Sequence, residues 1–442
     1  MVYHKESLFP ILTKRKAGNP LKIFALCLFL LMYVLMILLP RRRTWIALIA
    51  AAVVLIARLL PLRALPSAIN WNVLFMIAGT MVIVHYFIDS KMPNRIADGL
   101  MARTKNVKWV AVYMSVFAGL ISAFIDNVAT VLMVAPVGMA VCRKQNINPV
   151  PMILSIAVSS NLQGAATLVG DTTSIMLGDY AGMDFISFFW MLGRPGIFFA
   201  VELGALASVG VMCILFRKET QPVTPGTLTP VGDRFPGLML LAVIGALIAV
   251  SFVPDKPDVT NGLICLGLAA VTILRDYRRT GKKRRAWDGL ASIDRSTLLL
   301  LVGLFVVIAG ITHVGLVDDF AKWIVRVGGN NLFVLFTVIT FGSVAISAFV
   351  DNIPYVATML PVLAGVTSAL GMEPYLLYFG LLSGATLGGN LTPFGASANV
   401  TGVGLLIREG YDVSFRDFAK IGVPFTLSAV CVSYLYLWLV WS

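Results

Sequence analysis

One sixteen-residue stretch occurs twice in this chain of 442 residues, and it constrains the fold more than any other feature. SAFIDNVATVLMVAPV (122–137) recurs as SAFVDNIPYVATMLPV (347–362), and eight of the sixteen positions are identical. The offset of 225 residues (351 − 126) then continues without a gap and pairs Pro149 with Pro374, Gly164 with Gly389, Thr167 with Thr392, and Gly170 with Gly395. Chance similarity between apolar segments does not match acids, amides, prolines and glycines in one register. The chain is therefore an internal duplication.

The composition places this duplicated chain in a lipid bilayer. Hydrophobic residues make up 58% and charged residues 13%, whereas a soluble domain carries about 25% charged residues. Several uncharged apolar stretches approach the length of about 20 residues that a membrane-spanning helix needs; they are 23–40, 109–125, 235–254 and 296–312. These stretches are continuous rather than alternating, which excludes a β-barrel. We expect an all-α polytopic protein of the cytoplasmic membrane rather than a soluble enzyme, a disulfide scaffold or a disordered chain.

Basic blocks between the apolar segments predict the orientation. Simple spans are predicted at about 21–39, 44–62, 71–90, 195–217, 236–254, 259–277, 297–313 and 423–441. By the positive-inside rule, the basic loops 91–108 and 275–296 are cytoplasmic. The loops 179–194, 254–258 and 313–330 are neutral or slightly acidic and therefore extracytoplasmic.

The net charge of +13 has the same origin and does not indicate a nucleic-acid partner. The charge lies in short blocks between spans, as expected for loops that remain in the cytoplasm. Counting the spans places the N-terminus outside, although residues 1–22 carry five Lys and Arg residues. The side of the N-terminus stays open.

The two copies should run through the membrane in opposite directions, because the first follows a cytoplasmic loop and the second an outside loop. Each copy contains an apolar run interrupted by Asp-Asn, which predicts a re-entrant helical hairpin with its tip near mid-membrane. Each also contains a span interrupted by small polar residues, at 159–174 and 388–402. Inverted repeats with such broken helices are typical of secondary transporters with a site at the midplane.

The predicted domain organisation follows from the repeat. It comprises an N-terminal tail (1–20), a first inverted repeat (21–217) with a hairpin at about 107–142 and a broken helix at about 149–178, a linker (218–235), and a second inverted repeat (236–442) with a hairpin at about 331–371 and a broken helix at about 374–407.

Asp126 and Asp351 are the leading candidates for ion or proton binding. A carboxylate in the membrane costs about 2.5–3.5 kcal/mol on insertion scales and marks a functional path by default, although an Asp at a hairpin tip can also act as a helix cap. The full candidate binding set is Asp126, Asn127, Thr130, Asn161, Thr167, Gly170, Asp171, Thr172, Asp351, Asn352, Asn390, Thr392, Gly395, Ser397 and Asn399. Hard cations prefer such oxygen ligands.

A sodium ion is expected near Asp126, Asn127, Asp351 and Asn352, and no resident cofactor is expected. Thr130 adds a hydroxyl near the first tip where the second has Tyr355, so Asp126 is the stronger candidate cation ligand. Glu202 is interpreted as a partner for a scaffold or dimer-interface group, or as a second protonation site.

The repeats resemble the ion transporter superfamily, which includes arsenite permeases, the melanosomal P-protein, NhaD-type sodium/proton antiporters, and citrate and dicarboxylate/sodium symporters. The resemblance rests on DNVATVLMVAPV (126–137), NLQGAATLVGD (161–171), DNIPYVATMLPV (351–362) and GGNLTPFGASANV (388–400). It implies a transport domain that moves like an elevator against a scaffold, and a homodimer. An ATPase partner would be implied only for an arsenite-type protein.

Two departures from the family pattern bear on the substrate. In the dicarboxylate symporters a Ser-Asn-Thr motif occupies each tip, and here Asp126 and Asp351 replace the serine. Two carboxylates would repel a dianion unless they are neutralised. After Asp171 the chain has Thr172-Thr173-Ser174 where relatives often have Pro-Pro-Asn.

The function predicted from these features is secondary active transport of a small anion or oxyacid (arsenite-like, inorganic or carboxylate), coupled to H⁺ or Na⁺. A sodium/proton antiporter is the alternative. An intramembrane enzyme or a channel is a hypothesis of another class. The sequence has no HExxH zinc motif and no P-loop, and it shows no nucleophile paired with a base on facing helices, so we expect no enzyme.

Overall fold

The chain folds almost entirely into α-helices in a computed structural model that describes residues 19–223, 228–329 and 331–442. The predicted N-terminal tail lies outside the described residues up to residue 18. Within the described part the helices are α1 (Asn19–Leu38), α2 (Arg43–Ile56), α3 (Leu65–Ala68), α4 (Trp71–Asp89), α5 (Met92–Met101), α6 (Val107–Ser122), α7 (Asn127–Lys144), α8 (Val150–Gln163), α9 (Thr172–Tyr180), α10 (Ile197–Leu215), α11 (Phe235–Ser251), α12 (Thr260–Thr280), α13 (Lys283–Ala291), α14 (Arg295–His313), α15 (Leu316–Gly328), α16 (Leu332–Ser347), α17 (Asn352–Leu370), α18 (Tyr375–Gly388), α19 (Ser397–Arg408) and α20 (Phe415–Trp441).

Seven helices of the described part are long and apolar enough to cross a membrane. They are Pro20–Leu38, Trp71–Asp89, Asn127–Lys144, Ile197–Leu215, Lys283–His313 (α13 and α14 taken together), Asn352–Leu370 and Phe415–Trp441. Four shorter apolar helices are α6, α11 and α16 together with α8, which a 3₁₀ turn extends to Ala166. The expectation of an all-α polytopic membrane protein is confirmed.

Two predicted spans have different bounds in the structure. The span expected at 44–62 is the shorter helix α2, which ends at Ile56 because Arg58 adopts the left-handed conformation (φ 53°) and Pro61 follows. The span expected from residue 423 begins eight residues earlier, because the Ser414 side chain accepts a hydrogen bond from the Asp417 amide and caps α20.

Three segments that were predicted as loops between spans contain helices. The segment 91–108 holds α5, the segment 275–296 holds the end of α12 and all of α13, and 313–330 holds α15. These helices are amphipathic, with polar residues between the apolar ones. The presence of continuous apolar stretches therefore does not predict them. In the segment 179–194, Trp190–Met191 (β1) pairs with Arg194–Pro195 (β2).

The helix boundaries repeat with the sequence. The first residues of α6, α7, α8 and α9 are 107, 127, 150 and 172, and adding 225 gives 332, 352, 375 and 397, the first residues of α16, α17, α18 and α19. The residue before the helix is the same for α6 and α16, α7 and α17, and α8 and α18, whereas Asp171 precedes α9 and Ala396 precedes α19.

The helices pack in two groups that meet along one interface. In the first group α4 packs on α12 and α2 on α14, while in the second α6 packs on α8, α16 on α18, and α10 on α20. The groups meet where α4 contacts α9 and where α14 contacts α17. The amphipathic helix α15 packs on α17, and α5 packs on α6 and α7.

The two ends of α4 mark opposite faces of the bundle. At its end, Asp89 pairs with Arg285 of α13, and we call this side the basic face. At its start, the Asn72 side chain donates to Asp179 at 2.6 Å and accepts from the Gly262 amide at 2.7 Å. The end of α9 and the start of α12 therefore lie on the opposite face.

Further polar contacts assign other helix ends to these faces. The start of α6 lies at the basic face, because the Val107 amide donates to the Gln221 carbonyl at 3.0 Å in the segment that leads to α11. At the opposite face, Lys256 pairs with Asp184. Lys22 of α1 pairs with Asp319 of α15 at 2.7 Å.

The basic face should be cytoplasmic. In a chain whose five native cysteines are replaced by alanine, Lys282→Cys (before α13) and Lys322→Cys (in α15) each place one thiol at an exposed position. An impermeant maleimide added to intact cells should label only Lys322→Cys, because the bilayer shields Lys282→Cys, and both should react after lysis. Labelling of Lys282→Cys alone on intact cells would reverse the orientation.

Candidate functional site

Both candidate binding stretches lie where a helix is interrupted and resumes. In the first copy, α8 ends at Gln163, a 3₁₀ turn covers Gly164–Ala166, and α9 begins at Thr172. In the second copy, α18 is followed by a 3₁₀ turn over Gly389–Leu391, and α19 begins at Ser397. Each interruption frees backbone N–H and C=O groups from helical bonding.

The two interruptions are held against the hairpin tips by the same contacts. The Thr167 hydroxyl donates to the Ala123 carbonyl, and the Thr392 hydroxyl donates to the Ala348 carbonyl at 2.5 Å. A glycine follows three residues later in each copy. A Cβ at Gly395 would lie 2.7–2.9 Å from three carbonyl oxygens, and the Gly170 position is similarly closed, so neither site accepts a side chain.

A chain of buried amides joins the two copies at their centre. The Asn127 side chain donates to the Oδ1 of Asn161 at 3.1 Å. The Nδ2 of Asn161 donates to the Oδ1 of Asn390 at 3.1 Å and to the Thr386 carbonyl at 2.7 Å. Asn390 in turn accepts from Asn399 at 3.2 Å. Asn161 belongs to α8 and Asn390 to the second interruption, so this amide chain connects the two broken helices directly.

The carboxylates of the first copy cap helices. The Oδ1 of Asp126 accepts from the Val128 and Ala129 amides at 3.0 and 3.2 Å and so begins α7. Asp171 accepts from the Thr172 amide at 2.7 Å and from the Thr173 hydroxyl at 3.0 Å, which begins α9. Capping is therefore part of the role of both acids, as one of the two sequence interpretations of Asp126 expected.

The second tip carries a basic partner that the first tip lacks among the described residues. The Oδ1 of Asp351 accepts from the Ile353 amide at 3.1 Å and begins α17. Its Oδ2 forms an ion pair with Arg43, the first residue of α2, and accepts from the Ser397 hydroxyl at 3.4 Å. Arg43 follows Arg41 and Arg42 and was not among the predicted site residues.

The remaining predicted residues lie close to the tips with fewer contacts. The Asn352 side chain accepts from the Ser347 hydroxyl within the second hairpin. The Thr130 hydroxyl and the Oδ1 of Asn399 are buried and have no partner among the described residues. Thr172 is buried at the start of α9. Each copy therefore has at least one buried oxygen atom without a hydrogen-bond partner among the described residues.

Glu202 contacts the first broken helix rather than the first helix group. Its Oε2 accepts from the Gln163 amide at 3.4 Å, and its Oε1 is buried without a partner among the described residues. Gln163 is the last residue of α8 and was not among the predicted site residues. Its place inside the small polar stretch 159–174 was the available signal.

No group of three or more His, Cys, Asp or Glu side chains with metal-binding geometry occurs in the described part of the chain. The oxygen atoms near the tips are carboxylates, amides, hydroxyls and freed carbonyls. This donor set fits a hard monovalent cation or a proton, and it offers no thiolate or imidazole cluster.

Comparisons with known proteins relate this geometry to membrane transporters. The family model described as citrate transporter matches residues 33–384 and 290–442. An uncharacterized transporter of Mycobacterium tuberculosis is 29% identical over 431 residues, which cover 95% of this chain and 98% of the relative. The P protein of Mus musculus is 25% identical over 459 residues, which cover 84% of this chain and 54% of the P protein.

Solved structures share the fold at low sequence identity. The YdaH transporter of Alcanivorax borkumensis superposes with a TM-score of 0.60 at 14% identity and covers 94% of this chain and 97% of its own. MtrF of Neisseria gonorrhoeae, described within a class of antimetabolite efflux pumps, has a TM-score of 0.54 at 13% identity and covers 84% of this chain and 80% of its own.

Gly395 should not tolerate even one methyl group. Gly395→Ala places a Cβ within 2.9 Å of three backbone oxygens, and overpacking of this kind costs about 1–3 kcal/mol. Gly404→Ala, in α19, is the matched control, because nothing lies within 4 Å of its Cβ and alanine favours a helix by about 0.5–1 kcal/mol. Thermal unfolding of the purified proteins should show a lowered midpoint only for Gly395→Ala. Equal midpoints would contradict the close approach.

Proposed function

Because the chain belongs to the citrate transporter family, we propose that it is a secondary active transporter of a small anion or oxyacid, coupled to protons or sodium. The observation that carries this proposal is the amide chain that joins two interrupted helices, one from each copy, beside two acidic hairpin tips. Unwound backbone at membrane depth is tolerated only where it is buried in protein or lines a cavity. Membership of a transporter family agrees with the sequence, in which we found no catalytic motif.

We propose inverted repeats for this architecture. The first hairpin, α6 and α7, starts at the basic face, and the second, α16 and α17, follows α15 at the opposite face. If the basic face is cytoplasmic, the hairpins enter from opposite sides as re-entrant elements. The predicted domain boundaries at 21–217 and 236–442 remain part of this proposal.

An elevator movement would slide the second helix group along the first. Polar contacts across the interface include the bonds from Asn70 and Asn72 to Asp179 and the ion pair of Arg43 with Asp351. A cavity of about 260 Å³ lies beside this contact and is lined by residues of both groups, including Tyr180, Phe305 and Leu360. A poorly filled interface suits two bodies that move past one another.

The coupling cation is proposed to bind at the first tip. Asp126 uses one oxygen for capping, the buried Thr130 hydroxyl is free to donate or accept, and no described basic side chain pairs with Asp126. Asp171 adds a second buried carboxylate in the same copy. Both acids keep carboxylate lone pairs for sodium or for a proton. A homodimer is proposed from the family resemblance alone.

A sodium/proton antiporter is the alternative function. It is favoured by the three acids at the two tips and at the start of α9, Asp126, Asp351 and Asp171. A site that binds only an anion does not need three carboxylates. Antiport predicts sodium-driven proton movement without any added organic or inorganic anion. MtrF is described within a class of antimetabolite efflux pumps, and export of an anion by this chain would fit the leading proposal as well as import does.

Removing the charge of Asp126 should abolish coupling while the fold is retained. Asparagine is among the best capping residues, so Asp126→Asn should keep α7 intact. Cation-driven uptake into proteoliposomes should fall by about tenfold or more, equivalent to about 1.4 kcal/mol, with an unchanged unfolding midpoint. Asp412→Asn, at an exposed acid outside both repeats' broken regions, is the control. Full coupled transport by Asp126→Asn would reject the carboxylate mechanism at this tip.

A cross-link between the two helix groups should stop an elevator. Asn70→Cys with Asp179→Cys joins α4 to α9 across the interface, and a short thiol-reactive cross-linker should arrest transport reversibly. Ser208→Cys with Ser428→Cys joins α10 to α20 inside the second group, where the two hydroxyls lie 3.5 Å apart. That cross-link should leave transport unchanged. Continued transport with α4 fixed to α9 would contradict a relative movement of the groups.

A further inference from the structure

At the second hairpin tip, neighbouring side chains bind a carboxylate of the protein itself. The Asp351 carboxylate is held by the Arg43 guanidinium and by the Ser397 hydroxyl. Arg43 belongs to α2, in the first helix group, whereas Ser397 begins α19, which packs on α8 of the second group. Both charged side chains are partly exposed at the protein surface, Arg43 by 28% and Asp351 by 20%. The ion pair is therefore not sealed inside the protein.

The corresponding positions of the first copy differ in charge. Asp171 caps α9 there, and its counterpart at the offset of 225 is Ala396, which leaves α19 without a side-chain cap among the described residues. The offset pairs Arg43 with Leu268. The first tip thus has two carboxylates beside it, while the second tip has one carboxylate, the Arg43 guanidinium from the first repeat and one hydroxyl. The duplication has produced two chemically different halves.

The second copy also retains an unused acceptor. The Oδ1 of Asn399, in the first turn of α19, is fully buried and has no partner among the described residues. Its amide nitrogen is bonded inside the second interruption, so recognition of the anion rests on Arg43. Guanidinium groups recognise carboxylates and other oxyanions with paired hydrogen bonds, so Arg43 favours an oxyanion.

We propose that the transported anion binds at the second tip by exchange with Asp351: the oxyanion takes Arg43, and the released Asp351 carboxylate takes the coupling cation. This inference rests on the proposed function and assigns the anion to a residue outside the predicted set. Arg43 becomes the specificity-determining residue for negative charge. The first tip keeps its own cation-binding carboxylates, so coupling cations bind at both tips, whereas the anion binds only at the second.

The exchange explains why the two ligands must bind together. An anion that takes Arg43 alone leaves the Asp351 carboxylate without a counter-ion, and a cation that takes Asp351 alone leaves Arg43 unpaired. Uncompensated charges in a partly buried site are costly. Each ligand therefore raises the affinity for the other by the same factor, as thermodynamic linkage requires. No other residue is then needed at the second tip to couple binding of the anion to binding of the cation.

The test measures anion binding by thermal shift on the purified full-length chain. Citrate, succinate and sulfate are each titrated as sodium and as N-methylglucamine salts, at acidic and at neutral pH, and the most stabilising anion becomes the probe. In the wild type, sodium or acid should tighten binding of the probe by about 5–150-fold, the usual range of such coupling. Asp351→Asn should bind the probe with no such dependence, because Arg43 is free from the start.

Variants of Arg43 test whether this residue binds the anion. Arg43→Gln should lose at least about tenfold in probe affinity, whereas Arg42→Gln, at the neighbouring exposed arginine, should retain it. Arg43→Gln with Asp351→Asn removes both charges and guards against misfolding: it should unfold at a higher temperature than Arg43→Gln alone and still fail to bind the probe. Unchanged probe affinity in Arg43→Gln, or unchanged cation dependence in Asp351→Asn, would overturn the exchange.

The proposed function can fail separately. If no anion stabilises the wild type under any condition, small-anion transport is contradicted, and the exchange with it. If the probe binds with cation dependence in the wild type and in Arg43→Gln alike, the transporter proposal stands and only the role of Arg43 is rejected.

Discussion

The contact between Asn161 and Asn390 is the interaction on which the rest of this structure depends. Two helices can be interrupted inside a membrane protein only if the freed polar groups find partners, because an unsatisfied polar group in an apolar environment is costly. Here each broken helix supplies partners for the other, with Asn127 and Asn399 extending the chain into the first hairpin and into α19. The polar centre is therefore assembled from both copies and cannot form from one.

Close backbone approach completes this centre. Gly170 and Gly395 lie against the carbonyls of the hairpin tips, and Thr167 and Thr392 tie the interruptions to the same tips. The geometric framework is thus symmetric between the copies. The charges are not: Asp171 has its counterpart in Ala396, and Arg43 in Leu268. A symmetric frame with asymmetric charges is a means by which one duplicated fold could bind a cation and an anion at once.

Much of this arrangement follows from local sequence signals. The Asp-Asn pairs predicted where each hairpin turns, because an Asp that caps the next helix is a local feature. The stretches of small polar residues predicted where the helices break. Contacts between distant segments could not be predicted in this way. The Asn161–Asn390 contact depends on how the two broken helices cross, and no periodicity encodes that crossing. Arg43 was not predicted, because its pairing with Asp351 depends on how α2 packs against the second hairpin, 308 residues away in the chain. The early end of α2 depended on the backbone of Arg58 rather than on hydropathy.

Counterflow tests most directly the central claim that the chain is a carrier whose site is exposed to one side at a time. Proteoliposomes containing the protein are loaded with unlabelled anion and diluted into a trace of the same anion in labelled form. The account predicts a transient accumulation of label above its equilibrium level, because outward-moving unlabelled anion returns the site to the outside. A monotonic approach to equilibrium, unaffected by the unlabelled anion within, would identify a channel and contradict the account.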